Sequence, residues 1–283
     1  MHLRVKTGEH SCKLTCQKTD SQNSFTSWAT VIIERISIEL TNRCDKACWF
    51  CYNHSQPVGA TQWQLDELIG LVSSCQKQGT KAVSFGGGEP LQHPGVFELL
   101  RALDGVLFRS LTTNGLQLNT HFDRLVAARP DKVHLSIHFP ERKREVVRVL
   151  DQVADLTLAG IRCGINLLVS RKNLADARSA ASLIRSAGIG NDRIVYLPMR
   201  ISDTPSPEQM RDVAGQQPFQ SMTCLKTCGK SKRFCSVGWD KSVAWCSYTT
   251  SRHRLATLDH RGIVETLSNL DLIFCGGIDE AVA

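Results

Sequence analysis

Arg35-Ile36-Ser37-Ile38-Glu39-Leu40, followed three residues later by Cys44-Asp45-Lys46-Ala47-Cys48-Trp49-Phe50-Cys51, is the stretch on which the reading of this chain turns. Apolar and polar residues alternate through the first part, the signature of a half-buried strand. The cysteines therefore fall in the loop after a strand, and in α/β barrels those loops carry the active site. Their spacing is C-x3-C-x2-C. Three thiolates can hold three irons of a cubic four-iron, four-sulfur cluster and leave the fourth iron open to a small chelating molecule, whereas an electron-carrying cluster takes four cysteines. On spacing alone a zinc knuckle stays open as well, although its ligands usually come as two C-x2-C pairs or as Cys/His mixtures.

Outward from this stretch the chain repeats strand, loop and helix. The patterns predict strands at 35–40, 81–85, 106–112, 132–138, 163–169 and 193–198, with helices near 61–79, 95–103, 120–129, 141–159 and 173–187. Gly79, Gly160 and Gly188 each follow an apolar-periodic helix and serve as its stop. Six parallel strands with right-handed crossovers suit a partial (β/α)6 TIM-type barrel rather than a closed eightfold one. The prolines of Ser202-Asp-Thr-Pro205-Ser-Pro207 then break the rhythm. The expected organisation is an N-terminal extension (1–33), the barrel (34–204) and a small cysteine-rich domain (205–283), whose tail has helical periodicity between Leu255 and Leu272. Cys75 and Cys163 lie inside apolar patterns and read as buried small hydrophobes.

The chain has 283 residues, 42% of them hydrophobic, enough for a sizeable core. No apolar run reaches the length of a membrane span, and Met1-His2-Leu3-Arg4-Val5-Lys6 lacks the apolar segment of a secretory signal. The expectation is a cytoplasmic protein with no membrane partner. Twelve cysteines bunched at metal-ligand spacings then point to metal binding in a reducing compartment rather than to disulfides. A net charge of +7 suits an acidic redox protein or an acidic substrate, and the absence of a basic run with interleaved aromatics argues against nucleic acid.

The second strand ends in Gly86-Gly87-Gly88-Glu89-Pro90, where glycines allow close approach of backbone to a ligand or simply a tight turn. The third ends in Thr112-Thr113-Asn114-Gly115, and the fourth carries Ser136 and His138. Together with C-x3-C-x-Phe50-C, these motifs resemble the radical SAM superfamily over about residues 34–200. The resemblance implies a SAM-binding 4Fe-4S cluster on Cys44, Cys48 and Cys51. It also implies S-adenosylmethionine held by Phe50, Gly87, Gly88, Glu89, Thr112, Asn114, Ser136 and Asn166, with Leu197 and Met199 along the adenine. His138 stands where the family often has an aspartate. It is the candidate catalytic residue, to hold substrate or move a proton, with a hydrogen-bonded core histidine as the alternative.

Downstream lie Cys224, Cys228, Cys235, Cys246 and Cys275. The run from Cys228 to Cys246, with Asp240 and Val243 in place, is similar to the opening of SPASM and twitch domains. Lys241 replaces the usual glycine, so a different turn is expected. The resemblance implies a second, auxiliary 4Fe-4S cluster, with Cys228 and Cys246 as the leading pair and Cys224, Cys235 and Cys275 competing for the remaining places. Zinc is the alternative occupant. Cys12 and Cys16 form a further C-x3-C pair that needs ligands from elsewhere.

The implied activity is reductive cleavage of S-adenosylmethionine to a 5′-deoxyadenosyl radical. That radical would abstract a hydrogen atom from a small polar molecule or short peptide, leading to oxidation or cross-linking. A flavodoxin or ferredoxin would supply the electron. The alternatives are redox-neutral epimerisation with a cysteine hydrogen donor, and a non-catalytic iron-sulfur or zinc scaffold.

Overall fold

Alternation of Ile36 and Ile38 with Ser37 and Glu39 builds β1 (Arg35–Glu39) in the computed structural model, which describes residues 33–200, 202–221, 229–231 and 233–273. The predicted barrel units follow in order: α1 (Leu65–Lys77), β2 (Ala82–Gly86), α2 (Val96–Ala102), β3 (Phe108–Thr113), α3 (Leu118–Ala128), β4 (Lys132–Ile137), α4 (Lys143–Leu158), β5 (Cys163–Val169), α5 (Leu174–Ser186) and β6 (Ile194–Pro198). Beyond them come α6 (Pro207–Val213), β7 (Gln220–Ser221), the hairpin β8 (Phe234–Val237) and β9 (Ser242–Ala244), β10 (His253–Arg254) and α7 (His260–Ser268).

Local chemistry sets the ends of these elements. A capping box between Gln64 and Glu67 starts α1, and Ser206 with Pro207 starts α6. Gly79, Gly160 and Gly188 take φ of 98°, 81° and 81° just past their helices, as the stop signals predict. On α1 the buried residues are Leu68, Leu71, Val72 and Cys75, one stripe at i, i+3, i+4 and i+7 that seals the outside of the sheet.

The strands form one sheet in the order β10-β9-β8-β1-β2-β3-β4-β5-β6-β7, and β1 to β6 are all parallel. This is the mostly parallel α/β sheet expected of a partial barrel. The register defines two faces. Ile36, Val83 and Cys235 share one row, and Ile38, Phe85, Leu111 and Val133 the next; all are buried against the helices. The alternate positions carry Ser236, Ser37, Ser84 and Ser110 in one row, Thr112 beside His134, and Ser136 beside Asn166 in others.

β8 pairs in parallel with β1, so the hairpin of the cysteine-rich region extends the barrel sheet directly. The expected change of turn type is corrected here. Lys241 adopts the left-handed conformation, φ 65°, that ordinarily favours glycine. Its ammonium pairs with Glu67 at 2.6 Å and lies 5.6 Å from the Trp63 ring centre, contacts that help hold a strained residue in place. No helix among the described residues is long and apolar enough to cross a membrane. The N-terminal extension up to residue 32, with Cys12 and Cys16, lies outside the described residues, as do Cys224, Cys228 and Cys275.

Candidate active site

The cysteine loop leaves β1 through Thr41-Asn42-Arg43 and is held by backbone rather than by side-chain packing. Gly88 N–H donates to Thr41 O at 2.5 Å and Glu89 N–H to Arg43 O at 2.7 Å. A Cβ on Gly88 would stand 2.1 Å from Arg43 O, and one on Gly87, at φ 108°, 2.6 Å from Thr41 O. Both glycines are therefore required by the approach of two loops, a demand separate from contact with a cofactor. Gly86, one residue earlier, differs: a Cβ there meets nothing within 4 Å.

Glu89 is buried, and both its carboxylate oxygens are engaged within the protein. They accept from Thr113 Oγ1 at 2.7 Å, Asn114 N–H at 2.8 Å and Leu91 N–H at 3.1 Å. Burial raises its pKa, opposed by those donors. Glu89 thereby fixes Asn114, whose side-chain amide donates to Cys44 Sγ at 3.5 Å. A donor on a cluster-ligating sulfur is a recognised means of tuning reduction potential.

A second brace comes from α4. Lys46, inside the cysteine triplet, pairs with Glu145 at 2.7 Å, and both side chains are buried. The same carboxylate accepts from His138 N–H at 2.7 Å. Arg148 donates to Asn114 O and Gln152 to Gly115 O, at 3.1 and 2.8 Å. Motif reading does not find this brace. The i, i+3, i+7 spacing of Glu145, Arg148 and Gln152 on one helix is its available sign.

The residues of the triplet suit the cluster that their spacing suggests. Cys44 is buried, Cys48 and Cys51 are half-buried, and Cys51 N–H donates to Cys48 O at 3.1 Å. Among the described residues no three His, Cys, Asp or Glu side chains converge on one point, as a single zinc ion would need. Burial pushes the Cys48 thiol up to about 12, against the lowering charge of Lys46.

Most of the other expected cofactor contacts line the same end or inner face. Phe50 lies 5.6 Å from Phe139 and 6.1 Å from His138, ring centre to ring centre. Thr112, Ser136 and Leu197 alternate with outward-facing neighbours, and Met199 is buried just beyond β6. Asn166 finds its partner inside the protein, its Oδ1 lying 3.0 Å from His134 Nδ1. His138 is held neutral: burial, then the charges of Lys46 and Arg148, bring its pKa down to about 3, and its buried Nδ1 has no hydrogen-bond partner. It can offer a hydrogen bond but carries no charge near neutral pH.

Two described cysteines of the expected auxiliary set part company. Cys246 is half-buried in the loop after β9, next to Ser247, whose hydroxyl donates to Ser236 Oγ at 3.1 Å. Cys235 lies on the opposite face of β8, wholly buried with Cys75 of α1, and burial holds its thiol well above the ordinary range. This corrects its place among the auxiliary ligands, because the strand turns its side chain into the apolar layer.

A parallel sheet that presents a three-cysteine loop, a glycine-rich strand end and a polar inner face at one end defines a radical SAM fold. The family model of the Radical SAM superfamily matches residues 38–201, more than half of the chain. This chain belongs to the radical SAM superfamily and is an enzyme; membership implies a 4Fe-4S cluster and S-adenosylmethionine as cofactors. Among curated relatives, the GTP 3′,8-cyclase of Chlorobaculum tepidum is 24% identical over 262 residues, covering 86% of this chain and 73% of that protein. A probable GTP 3′,8-cyclase of Methanocella arvoryzae is 32% identical over 112 residues, which cover 40% of this chain and 36% of the relative. Among solved structures, Streptococcus suis SuiB bound to precursor peptide SuiA matches with a TM-score of 0.64 at 14% identity, over 79% of this chain and 62% of SuiB. Native anSMEcpe with bound AdoMet matches with a TM-score of 0.57 at 15% identity, over 82% of this chain and 80% of that one. These structural likenesses are likenesses of fold.

Proposed function

We propose that this enzyme abstracts a hydrogen atom from a small polar molecule or short peptide bound on the inner face of its sheet, leading to oxidation or cross-linking. The observation that carries the reading is that face itself. TIM-barrel interiors are ordinarily filled by Val, Ile and Leu, whereas here Ser37, Ser84, Ser110 and Thr112 face inward and Gly86 leaves open space above Glu39. The relatives' names point to a nucleotide and the SuiB complex to a peptide, and both are polar molecules.

A 4Fe-4S cluster held by Cys44, Cys48 and Cys51 would supply the electron for reductive cleavage of S-adenosylmethionine to methionine and a 5′-deoxyadenosyl radical. The protein's part is to hold and shield. Glu89 and the Lys46–Glu145 pair fix the loop, Asn114 donates to a ligand sulfur, and Ser136 and Thr112 offer hydroxyls to a bound cofactor. Neutral His138 is positioned to orient substrate. Near the C-terminus, Cys228 and Cys246 with Cys224 and Cys275 would hold an auxiliary 4Fe-4S cluster. Cys75, Cys163 and Cys235 are sealed in the outer core, so a thiol returning hydrogen would be Cys246 or one beyond the described residues.

The reducing partner we assign is an acidic carrier of the flavodoxin or ferredoxin kind, acting in the cytoplasm. Trp49, next to Cys48, is 76% exposed, and Arg142, Lys143 and Arg144 are exposed at the start of α4. Phe139 joins the two, with the Arg142 guanidinium 4.0 Å over its ring and the Phe50 ring 5.6 Å away.

The test is anaerobic reconstitution followed by assay of 5′-deoxyadenosine. About eight irons per chain are expected from two four-iron clusters. Cys44→Ala, Cys48→Ala or Cys51→Ala should abolish cleavage, while Cys228→Ala lowers the iron content and spares cleavage. Equal loss in both sets would break the division into two sites. With flavodoxin as donor the rate should fall as salt rises; with dithionite it should not.

A further inference from the structure

Glu39 is the last residue of β1, and its side chain falls on the inner face because Ile36 and Ile38 take the outer one. It is 2% exposed, and its Oε1 has no hydrogen-bond partner. A carboxylate so buried ordinarily has its oxygens satisfied. The nearest cation is Arg252, whose Nη1 stands 3.7 Å from Oε1, within ion-pair reach but without a hydrogen bond. Arg252 donates weakly to Ser236 Oγ and Ser247 O, both at 3.4 Å, and its own buried Nε has no partner. Two opposite charges therefore lie side by side on the inner face, each with a polar atom left over.

The walls round this pair are aromatic. Tyr52 and Tyr248 stand 4.8 Å apart, ring centre to ring centre, and the Arg200 guanidinium lies 5.7 Å from the Tyr248 ring. Tyr52 is 39% exposed at its edge, while its hydroxyl is buried beside Glu39 and Arg252. Burial raises the Glu39 carboxyl to about 7, with Asp240 adding to the rise and Arg252, the Trp239 backbone and Tyr52 opposing it. An added cation would hold this carboxylate ionised.

We propose that Glu39 and Arg252 form a substrate-anchoring pair that takes the zwitterionic head of an α-amino acid, its ammonium on Glu39 and its carboxylate on Arg252. A zwitterion matches the pair charge for charge and leaves the buried site neutral. An isolated amine or an isolated carboxylate would leave one charge uncompensated away from water. The proposal rests on the reading of the inner face as the substrate site and names the class of molecule that site receives.

The experiment uses the reconstituted full-length protein with S-adenosylmethionine present. Binding of each of the common amino acids is measured by equilibrium dialysis, alongside the matching amine, the matching N-acetyl amino acid, and GTP. At least one amino acid should bind, at least tenfold more tightly than its amine or its N-acetyl form. Glu39→Gln and Arg252→Gln should each weaken that binding tenfold or more while leaving S-adenosylmethionine affinity and iron content unchanged. The proposal is overturned if no amino acid binds, if the amine binds as well as the amino acid, or if either variant lowers S-adenosylmethionine affinity. Binding of GTP that depends on Glu39 would overturn it in favour of a nucleotide. The ligand comparison on the unaltered protein stands even where a variant fails to fold. Formation of 5′-deoxyadenosine without substrate reports the radical SAM reading separately, so an active protein that binds no amino acid loses only this proposal.

Discussion

The two faces of a single sheet are given opposite chemistry by residues one position apart. On β1 and β2, Ile36, Ile38, Val83 and Phe85 are at most 1% exposed against the helices, while Ser37, Glu39, Ser84 and Gly86 look the other way. Parallel strands covered on both sides read as unbroken apolar runs. These strands alternate instead: one side packs against the helices, and the other carries Ser37, Glu39, Ser84 and Gly86. The difference teaches where stability resides and where the proposed chemistry falls: the outer face holds the sheet, and the inner face carries the polar groups.

The largest effect that would break this comparison is on the outer face. Phe85→Ala removes a fully buried ring between β1 and β3 and should cost about 3–5 kcal/mol of stability, the usual range for a buried aromatic. Specific activity of the folded protein at low temperature should stay near that of the parent. Urea unfolding paired with a 5′-deoxyadenosine assay measures both. Loss of activity in step with no loss of stability would mean that the faces are not separate.

Local pattern carries the barrel well and the far pairings poorly. The strand at 163–169 follows residue for residue from its apolar run, broken only by Asn166, and helix ends at Gly79, Gly160 and Gly188 follow from backbone needs local to each turn. The cysteine triplet stands out as a motif because its three thiols lie close together on one loop. By contrast, β8 pairs with β1 across some two hundred residues, and nothing local to either segment specifies that partner. Cys235 illustrates the consequence. As a thiol in a cysteine-rich stretch it resembles a ligand, but the register with Ile36 turns it into the core. Glu39 is readable in principle. In Arg35-Ile36-Ser37-Ile38-Glu39 the alternation alone sends it inward, and a charge facing a barrel interior calls for a partner.

Charge sharpens the comparison next, since His134 and Glu39, whose pKa values are moved to about 4 and about 7, lie on the inner face. Burial, then the charge of Lys132, brings the His134 pKa down to about 4 from its ordinary value of 6.5, against a raising contribution from Asn166. Between those values the unfolded chain binds a proton that the folded one refuses. Stability from this group therefore rises with pH from about 4 to 6.5 and is lost as pH falls through that window, by up to about 3 kcal/mol. His138 acts in the same sense with a folded value of about 3. Glu39, raised to about 7 from 4.5, acts oppositely: its folded form keeps a proton that the unfolded form has lost, so stability declines from pH 4.5 to 7. His134→Gln should remove one acid-side contribution and flatten the fall in urea midpoint between pH 6.5 and 4. An unchanged slope would show that His134 is not shielded from water.

The smallest effect on stability should come from the inner face itself, at Gly86. A Cβ built there meets nothing within 4 Å, and Gly86 is not among the residues with positive φ. Gly86→Ala therefore introduces no clash and no backbone strain. By narrowing the unfolded ensemble it should stabilise the protein by about 0.4–1 kcal/mol. Its methyl would project into the open space beside Glu39, the neighbour in register on β1. Were that space idle, activity would be untouched, as for a mutation on any unused surface. If it receives substrate, Gly86→Ala should raise KM severalfold and Gly86→Val more steeply, while stability holds or improves. A gain in stability joined to a loss of substrate affinity is a combination that an outer-face substitution such as Phe85→Ala cannot produce, because there the side chain removed was part of the packing. Unchanged KM in both glycine variants would place the substrate elsewhere and leave the polar inner face without its assigned role.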